Sequence, residues 1–445
     1  MPQRLASRIT PSQVLVLGFA TLIFLGAMVL MLPVSSASGQ WTNFIDALFT
    51  ATSAVCVTGL VVVDTGSFWS PFGQVVVLLL IQIGGLGIMT VSTLFFFLIG
   101  KRITLRERLV MQESLGGGTL AGLVRLTREV LLVTLVVETL GTAFLTGRWA
   151  LDYPLGQALY LGVFHAVSAF NNAGFDLFGS SLVGYVDDAV TILTVGGLII
   201  AGGLGFTVIL ELWHRRRGQR LSLHAKLVLA VTAGLILAGA LLIFLFEASN
   251  PRTMGPLSFR GRLLAAFFHS VTPRTAGFNS LVTGNLREAT LLLTIILMFI
   301  GASPASTGGG IKTSTFGTLL LAIRATIRGD SEPLAFGRRI PRGTVQRALA
   351  ITLMAGALVL GITTVLLLTE GSHLLETLFE VTSAFGTVGL STGLTPRLSP
   401  EGRLLISLTM YIGRVGPLTL AYSLVQAATR RRTGICYPED RVMVG

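Results

Sequence analysis

The sequence predicts an all-α polytopic membrane protein. Its expected architecture is four tandem helix–pore helix–helix repeats, with eight spanning helices and four re-entrant half-helices around a pseudo-fourfold pore. Three observations carry that prediction. Of 445 residues, 52% are AVILMFWYC, 52 more are Gly and only 12% are charged. Soluble domains carry about 25% charged residues, so this chain cannot cover a water-facing surface. The other two observations are a series of long uncharged runs and a motif that recurs four times.

A helix needs about 20 mainly apolar residues to cross a bilayer. Uncharged runs occupy 9–45, 65–100, 189–210, 227–246, 289–311 and 348–369. Two further spans, near 124–147 and 404–429, centre on Glu138 and Arg414. Between the spans lie apolar stretches at 42–54, 155–169, 258–272 and 371–385, too short to cross and read as re-entrant. The first run is too long for a signal-peptide core and is expected to stay as a membrane helix. Cys56 and Cys436 lie far apart and predict no disulfide.

The net charge of +12 reflects topology, not nucleic-acid binding. The N-terminus, loops 101–128, 214–226 and 324–347, and the tail hold 23 Lys and Arg, against 8 in the alternate loops. Both termini and these three loops are therefore expected in the cytoplasm, and the short segments enter from outside. The same loops could dock a regulatory subunit or touch anionic lipid.

The repeat is read from the short segments. Phe49 to Gly59, Phe164 to Gly174, Phe268 to Gly277 and Phe379 to Gly389 align, the third being one residue shorter. A Gly-rich echo follows each, beginning at Ile83, Ala201, Ile300 and Ile412. The units are expected at 1–100, 101–215, 216–330 and 331–430, followed by a cytoplasmic tail at 431–445. A half-helix ending inside the membrane turns the negative end of its dipole to the axis. The loop after it can offer backbone carbonyls to a dehydrated cation. Candidate filter residues are Val57, Thr58 and Gly59; Asn172, Ala173 and Gly174; Thr275, Ala276 and Gly277; and Thr387, Val388 and Gly389. None is a carboxylate. In the third repeat, Gly301 to Lys312 holds four Gly and Pro304, a composition that predicts an unwound helix.

These motifs resemble the Trk/Ktr/HKT superfamily of cation-translocating subunits, most closely its bacterial KtrB type. The strongest parts are Asp46 to Leu60, Ser168 to Phe175, Thr272 to Asn279, Gly308 to Lys312 and Ile412 to Pro417. The tail from Tyr437 to Gly445 fits the same type, and the lack of an extra N-terminal helix pair speaks against the Trk branch. The resemblance implies potassium uptake across the bacterial plasma membrane by a homodimer with one pore per protomer. It also implies a cytoplasmic ring of nucleotide-binding regulatory subunits of the KtrA type. A Gly at all four filter positions goes with potassium in this family, and a Ser in the first goes with sodium in some relatives. Position 59 is Gly, which favours potassium; a sodium-selective or sodium-coupled member is the alternative. Potassium is the transported ion, with possible sodium stimulation, and no covalent cofactor or transition metal is expected.

In the family, the stretch matching 301–314 is an intramembrane gate below the filter. By resemblance, Gly301, Ser303, Ser306, Gly308, Gly309, Gly310 and Lys312 form it here, and Arg414 adds an electrostatic barrier and holds the loop through its carbonyls. Glu138 is expected in a structural hydrogen bond or ion pair. His165 and His269 are expected to pack pore helices without binding metal. Asp64, Asp176, Asp187 and Asp188 belong to outer loops and could gather cations. Neither an inverted repeat nor a catalytic dyad points to a solute carrier or an enzyme.

Overall fold

A computed structural model describes residues 11–87, 123–215, 220–330 and 332–416. The helices, in order, are α1 (Pro11–Met31), α2 (Phe44–Val55), α3 (Pro71–Leu86), α4 (Leu123–Trp149), α5 (Leu155–Phe170), α6 (Ala189–Gly203) and α7 (Phe206–Trp213). They continue with α8 (Leu223–Glu247), α9 (Phe259–Val271), α10 (Glu288–Phe299), α11 (Thr313–Arg328), α12 (Arg342–Glu370), α13 (Leu374–Gly386) and α14 (Pro400–Val415). A one-turn helix at Thr65–Phe68, four short 3-10 turns (Pro33–Ser35, Val183–Tyr185, Thr283–Asn285 and Thr395–Arg397) and a short antiparallel hairpin, β1 (Leu334–Ala335) and β2 (Arg338–Arg339), complete the described elements.

Among the described residues, α1, α4, α8 and α12 are long and apolar enough to cross a membrane. The pair α6 and α7, bent by 101°, would make a fifth. Eight spanning helices are thus not established among the described residues, because the runs 65–100 and 404–429 continue beyond 87 and 416. The second helices stop at Leu86, Gly203, Phe299 and Val415. Backbone geometry explains three of the stops. Gly87, Gly205 and Gly416 adopt φ of 84°, 89° and 91°, a region that side chains disfavour. In the third unit the aligned position is Pro304, which cannot donate a helix hydrogen bond. The parts of the runs 65–100 and 404–429 beyond 87 and 416 lie outside the described residues, as do most of loop 101–128 and the tail.

The short helices α2, α5, α9 and α13 are exposed where they begin and buried over their C-terminal halves. Their aligned Phe49, Phe164, Phe268 and Phe379 are all buried. Each short helix packs on the helix before it: α2 on α1, α5 on α4, α9 on α8 and α13 on α12. Each also meets the second helix of the preceding unit: α5 on α3, α9 on α6, α13 on α10, and α2 on α14. The last contact closes the circle. Arg403 in the first turn of α14 pairs with Asp46 in the first turn of α2 at 2.5 Å, tying the fourth unit to the first. Asn279 and Ser181 tie the loops of the second and third units.

Candidate functional site: a ring of four glycines and the loop beneath it

The chain leaves each short helix through the same conformation. Two residues before each ring glycine, Val57, Asn172, Thr275 and Thr387 take positive φ of 57°, 57°, 73° and 50°. Gly59, Gly174, Gly277 and Gly389 then take 88°, 69°, 78° and 95°. Alternating the sign of φ turns successive carbonyls toward one side. A non-glycine residue held at positive φ costs of order 1–3 kcal/mol and persists only where its surroundings fix it. Here backbone hydrogen bonds do so: Thr58 N–H donates to Ser53 O at 2.8 Å, Ala173 to Ser168 at 2.7 Å, Ala276 to Thr272 at 2.9 Å and Val388 to Ser383 at 2.8 Å.

The aligned hydroxyls of those acceptor residues add a second tie. Ser53 and Ser383 accept from the amides of Gly59 and Gly389 at 3.0 and 3.1 Å. Ser168 and Thr272 donate to the carbonyls of Phe175 and Phe278 at 2.8 and 2.5 Å. Sequence reasoning missed this role, although a hydroxyl at the same place in all four copies was the available signal.

The four glycines meet. A Cβ placed on Gly59 would strike the carbonyl oxygen of Ala173, and one on Gly389 would strike that of Thr58. From Gly174 it would lie 2.6 Å from Ala276 O, and from Gly277 it would lie 2.6 Å from Val388 O. So each missing side chain is the seat of the next unit's carbonyl, in the order one, two, three, four, one. The residues before the glycines, Thr58, Ala173, Ala276 and Val388, are fully buried.

The linker between α10 and α11 lies directly below. Ile300 and Ile311 form a parallel bridge that closes its neck. Ser303 N–H donates to Gly203 O at 3.0 Å, and Gly309 N–H donates to the hydroxyl of Thr387 at 3.0 Å. Ser306 donates back to Ser303 O at 2.6 Å, and Thr313 donates to the Ser303 hydroxyl at 3.0 Å. The run of three glycines has a steric cause. Gly308 lies against the side chain of Thr275, Gly309 against that of Thr387, and Gly310 against the Cα of Gly386. The loop is thus pressed against the undersides of the third and fourth ring segments.

Two cations hold this loop. Lys312 Nζ donates to Gly308 O at 2.7 Å. Arg414 donates to the carbonyls of Thr307 and Gly84, and to that of Gly85 at 3.4 Å. It bridges the third unit's loop to the end of α3 in the first. Its aligned positions in the other units are Gly85, Gly203 and Ala302.

A half-buried polar cluster joins α3 to α4 and α5. Asn171 Nδ2 donates to Glu138 Oε1 at 3.0 Å and to Gln82 Oε1 at 2.8 Å, while Gln82 Nε2 donates to Glu138 Oε2 at 3.3 Å. Glu138 is therefore hydrogen-bonded, with amides as its partners. His165 stacks on Phe178 with centroids 4.6 Å apart, and His269 lies 3.3 Å from Thr294. Among the described residues no group of three or more His, Cys, Asp or Glu could hold a metal. Asp64 caps the turn at Ser67 with a 2.8 Å bond, and Asp188 pairs with Arg148 at 2.8 Å. Asp187 accepts from Ser258 at 3.0 Å. Asp176 accepts from the amides of Phe178 and Gly179 at 2.9 Å each, and burial pushes its carboxyl up to about 6.

This is a helical membrane chain of the cation-transporter class, in which four aligned glycine segments close one ring. Residues 5–429 match the family described as TrkH, cation transport protein, and the chain belongs to that family. It is 44% identical over 439 residues to the "Ktr system potassium uptake protein B" of Bacillus subtilis, covering 98% of this chain and 97% of that one. It is 42% identical to the "Potassium/sodium uptake protein NtpJ" of Enterococcus hirae, covering 100% and 99%. Its fold matches the crystal structure of the potassium transporter TrkH from Vibrio parahaemolyticus with a TM-score of 0.75. That match is at 18% identity and covers 94% of this chain and 85% of that one.

Proposed function

We propose that this chain takes up potassium through the glycine ring, with the 301–310 loop as its gate. The reading rests on one observation above all: four glycines from four units seat one another's carbonyls. An ion entering the ring trades hydration for carbonyl oxygens whose positions are already fixed by the Ser and Thr ties. The half-helices aim the negative ends of their dipoles at the same place. Filter residues are the segments 57–59, 172–174, 275–277 and 387–389. The loop blocks the path below them, and Arg414 both anchors it and repels cations at that level.

The arginine-rich loops and both termini face the cytoplasm in this reading. A homodimer on a nucleotide-binding cytoplasmic ring is supported by the similarity to a Ktr system protein. Potassium and sodium flux are compared in liposomes carrying the purified chain, under equal imposed gradients. Potassium flux well above sodium flux is expected. Equal or sodium-dominated flux favours a sodium-selective or sodium-coupled carrier instead, a reading supported by the similarity to the potassium/sodium uptake protein.

A further inference from the structure

A cavity of about 460 Å³ opens where the first turns of α8, α11 and α12 meet the hairpin strand β2. All four elements border the arginine-rich loops 214–226 and 324–347. Its wall is divided by chemistry. Arg339 and Arg347 supply charge, Ser314, Thr315 and Thr344 supply hydroxyls, and Leu227, Ile340 and Ile351 supply an apolar floor. No Asp or Glu lines it. Arg347 has no carboxylate partner among the described residues, and the exposed Arg339 has only the half-buried Glu332 at 3.3 Å.

The helix that enters the cavity is also uncompensated. α12 starts after Pro341 with no side-chain cap and no acid in its first turn. The positive end of its dipole is left for an external anion. Beside the cavity, the hairpin exposes Leu334 and Phe336, and Lys226 lies 5.7 Å from the Phe336 ring centroid. Mixed basic, aromatic and aliphatic surface is what a membrane–water boundary selects.

We propose that this cavity binds one anionic phospholipid, its phosphate on Arg339 and Arg347 and its first methylenes on Leu227, Ile340 and Ile351. Basic pockets between helices on the cytoplasmic side suit such headgroups. The choice of leaflet rests on the orientation proposed above; the binding does not. The lipid would touch Ser314 and Thr315, the residues after Thr313, whose hydroxyl holds Ser303 in the loop.

The full chain is purified in detergent, equilibrated with equal phosphatidylglycerol and phosphatidylcholine of the same acyl chains, and examined by native mass spectrometry. Wild type is expected to retain phosphatidylglycerol at least about fivefold over phosphatidylcholine. R339Q/R347Q should reduce that preference toward parity with an unchanged Tm. Thr344→Glu, which places a negative charge in the wall, should do the same. Glycerol 3-phosphate alone should not displace the lipid. Equal retention of both lipids by wild type, or an unchanged preference in R339Q/R347Q, overturns the proposal. So does displacement by glycerol 3-phosphate, which would define a site for a soluble anion.

Discussion

The ring of glycines and the layer directly below it follow opposite rules. In the ring, four units with different side chains adopt one backbone conformation, and each makes the same contact with the next. Below it, the third and fourth units depart from the other two. The third contributes a loop, the fourth contributes Arg414 where the others have Gly or Ala, and the second contributes Asn171 and Glu138 to a cluster with Gln82 of the first. In the proposed function, ion recognition needs equal carbonyls around an axis, and repetition would supply them. A gate needs one element that moves against others that stay, and that requires departure from the repeat.

The sharpest way to break this comparison is to substitute the four ring glycines one at a time. Gly59→Ala, Gly174→Ala, Gly277→Ala and Gly389→Ala should each lower potassium flux in liposomes by about tenfold or more, because each pushes a carbonyl out of its seat and forces a side chain into positive φ. Comparable losses at all four positions are expected. One indifferent glycine would show that the ring is not functionally fourfold.

Arg414→Gln acts on the other side of the comparison. Hydrogen bonds to a charged donor contribute roughly 1.5–3 kcal/mol each, and Arg414 donates to both the loop and α3. Passive flux should rise by about tenfold in the variant, since about 1.4 kcal/mol changes an equilibrium tenfold. Unchanged or reduced leak would remove Arg414 from the gate.

Smaller effects are expected beside the gate. Glu138→Gln leaves an amide facing the donors of Asn171 and Gln82, so Tm should fall by about 2–4 °C while potassium-over-sodium selectivity is kept. A selectivity change of severalfold would mean that the ring depends on this cluster.

The smallest effect concerns pH. Burial holds the Asp176 carboxyl at about 6 instead of 3.8, so folding favours its protonated form. Its contribution to stability is fully present below about 3.8 and is lost as pH rises through about 6. Asp176→Asn should flatten the Tm profile across that window. A profile with the wild-type slope would assign the pH dependence elsewhere.

The sequence made the ring legible because its motif carries four glycines at the same place in four aligned segments, from Gly59 to Gly389. The break in the third second-helix was equally plain from Pro304 and the three glycines. The stops at Gly87, Gly205 and Gly416 were not, since glycines inside an apolar run are compatible with a continuous membrane helix. The reason for three consecutive glycines was also hidden. It lies in Thr275 and Thr387, which are 33 and 78 residues away from Gly308 and Gly309 and reach them only through the closed circle of units. Glu138 and Asn171 are likewise joined by packing between α4 and α5, which no spacing rule encodes.

One property of the ring bears on how such a chain can change over generations. The atoms that the proposed filter would offer an ion belong to the main chain, and the residues that carry them, Thr58, Ala173, Ala276 and Val388, differ in side chain while presenting the same group. A quarter of the molecule can therefore drift in sequence without altering what the ion meets, provided that its glycine and its hydroxyl tie are kept. Fusing four quarters in one polypeptide then gives each its own mutational history. A new loop, arginine or lipid seat can be tried in one quarter while the shared axis stays intact.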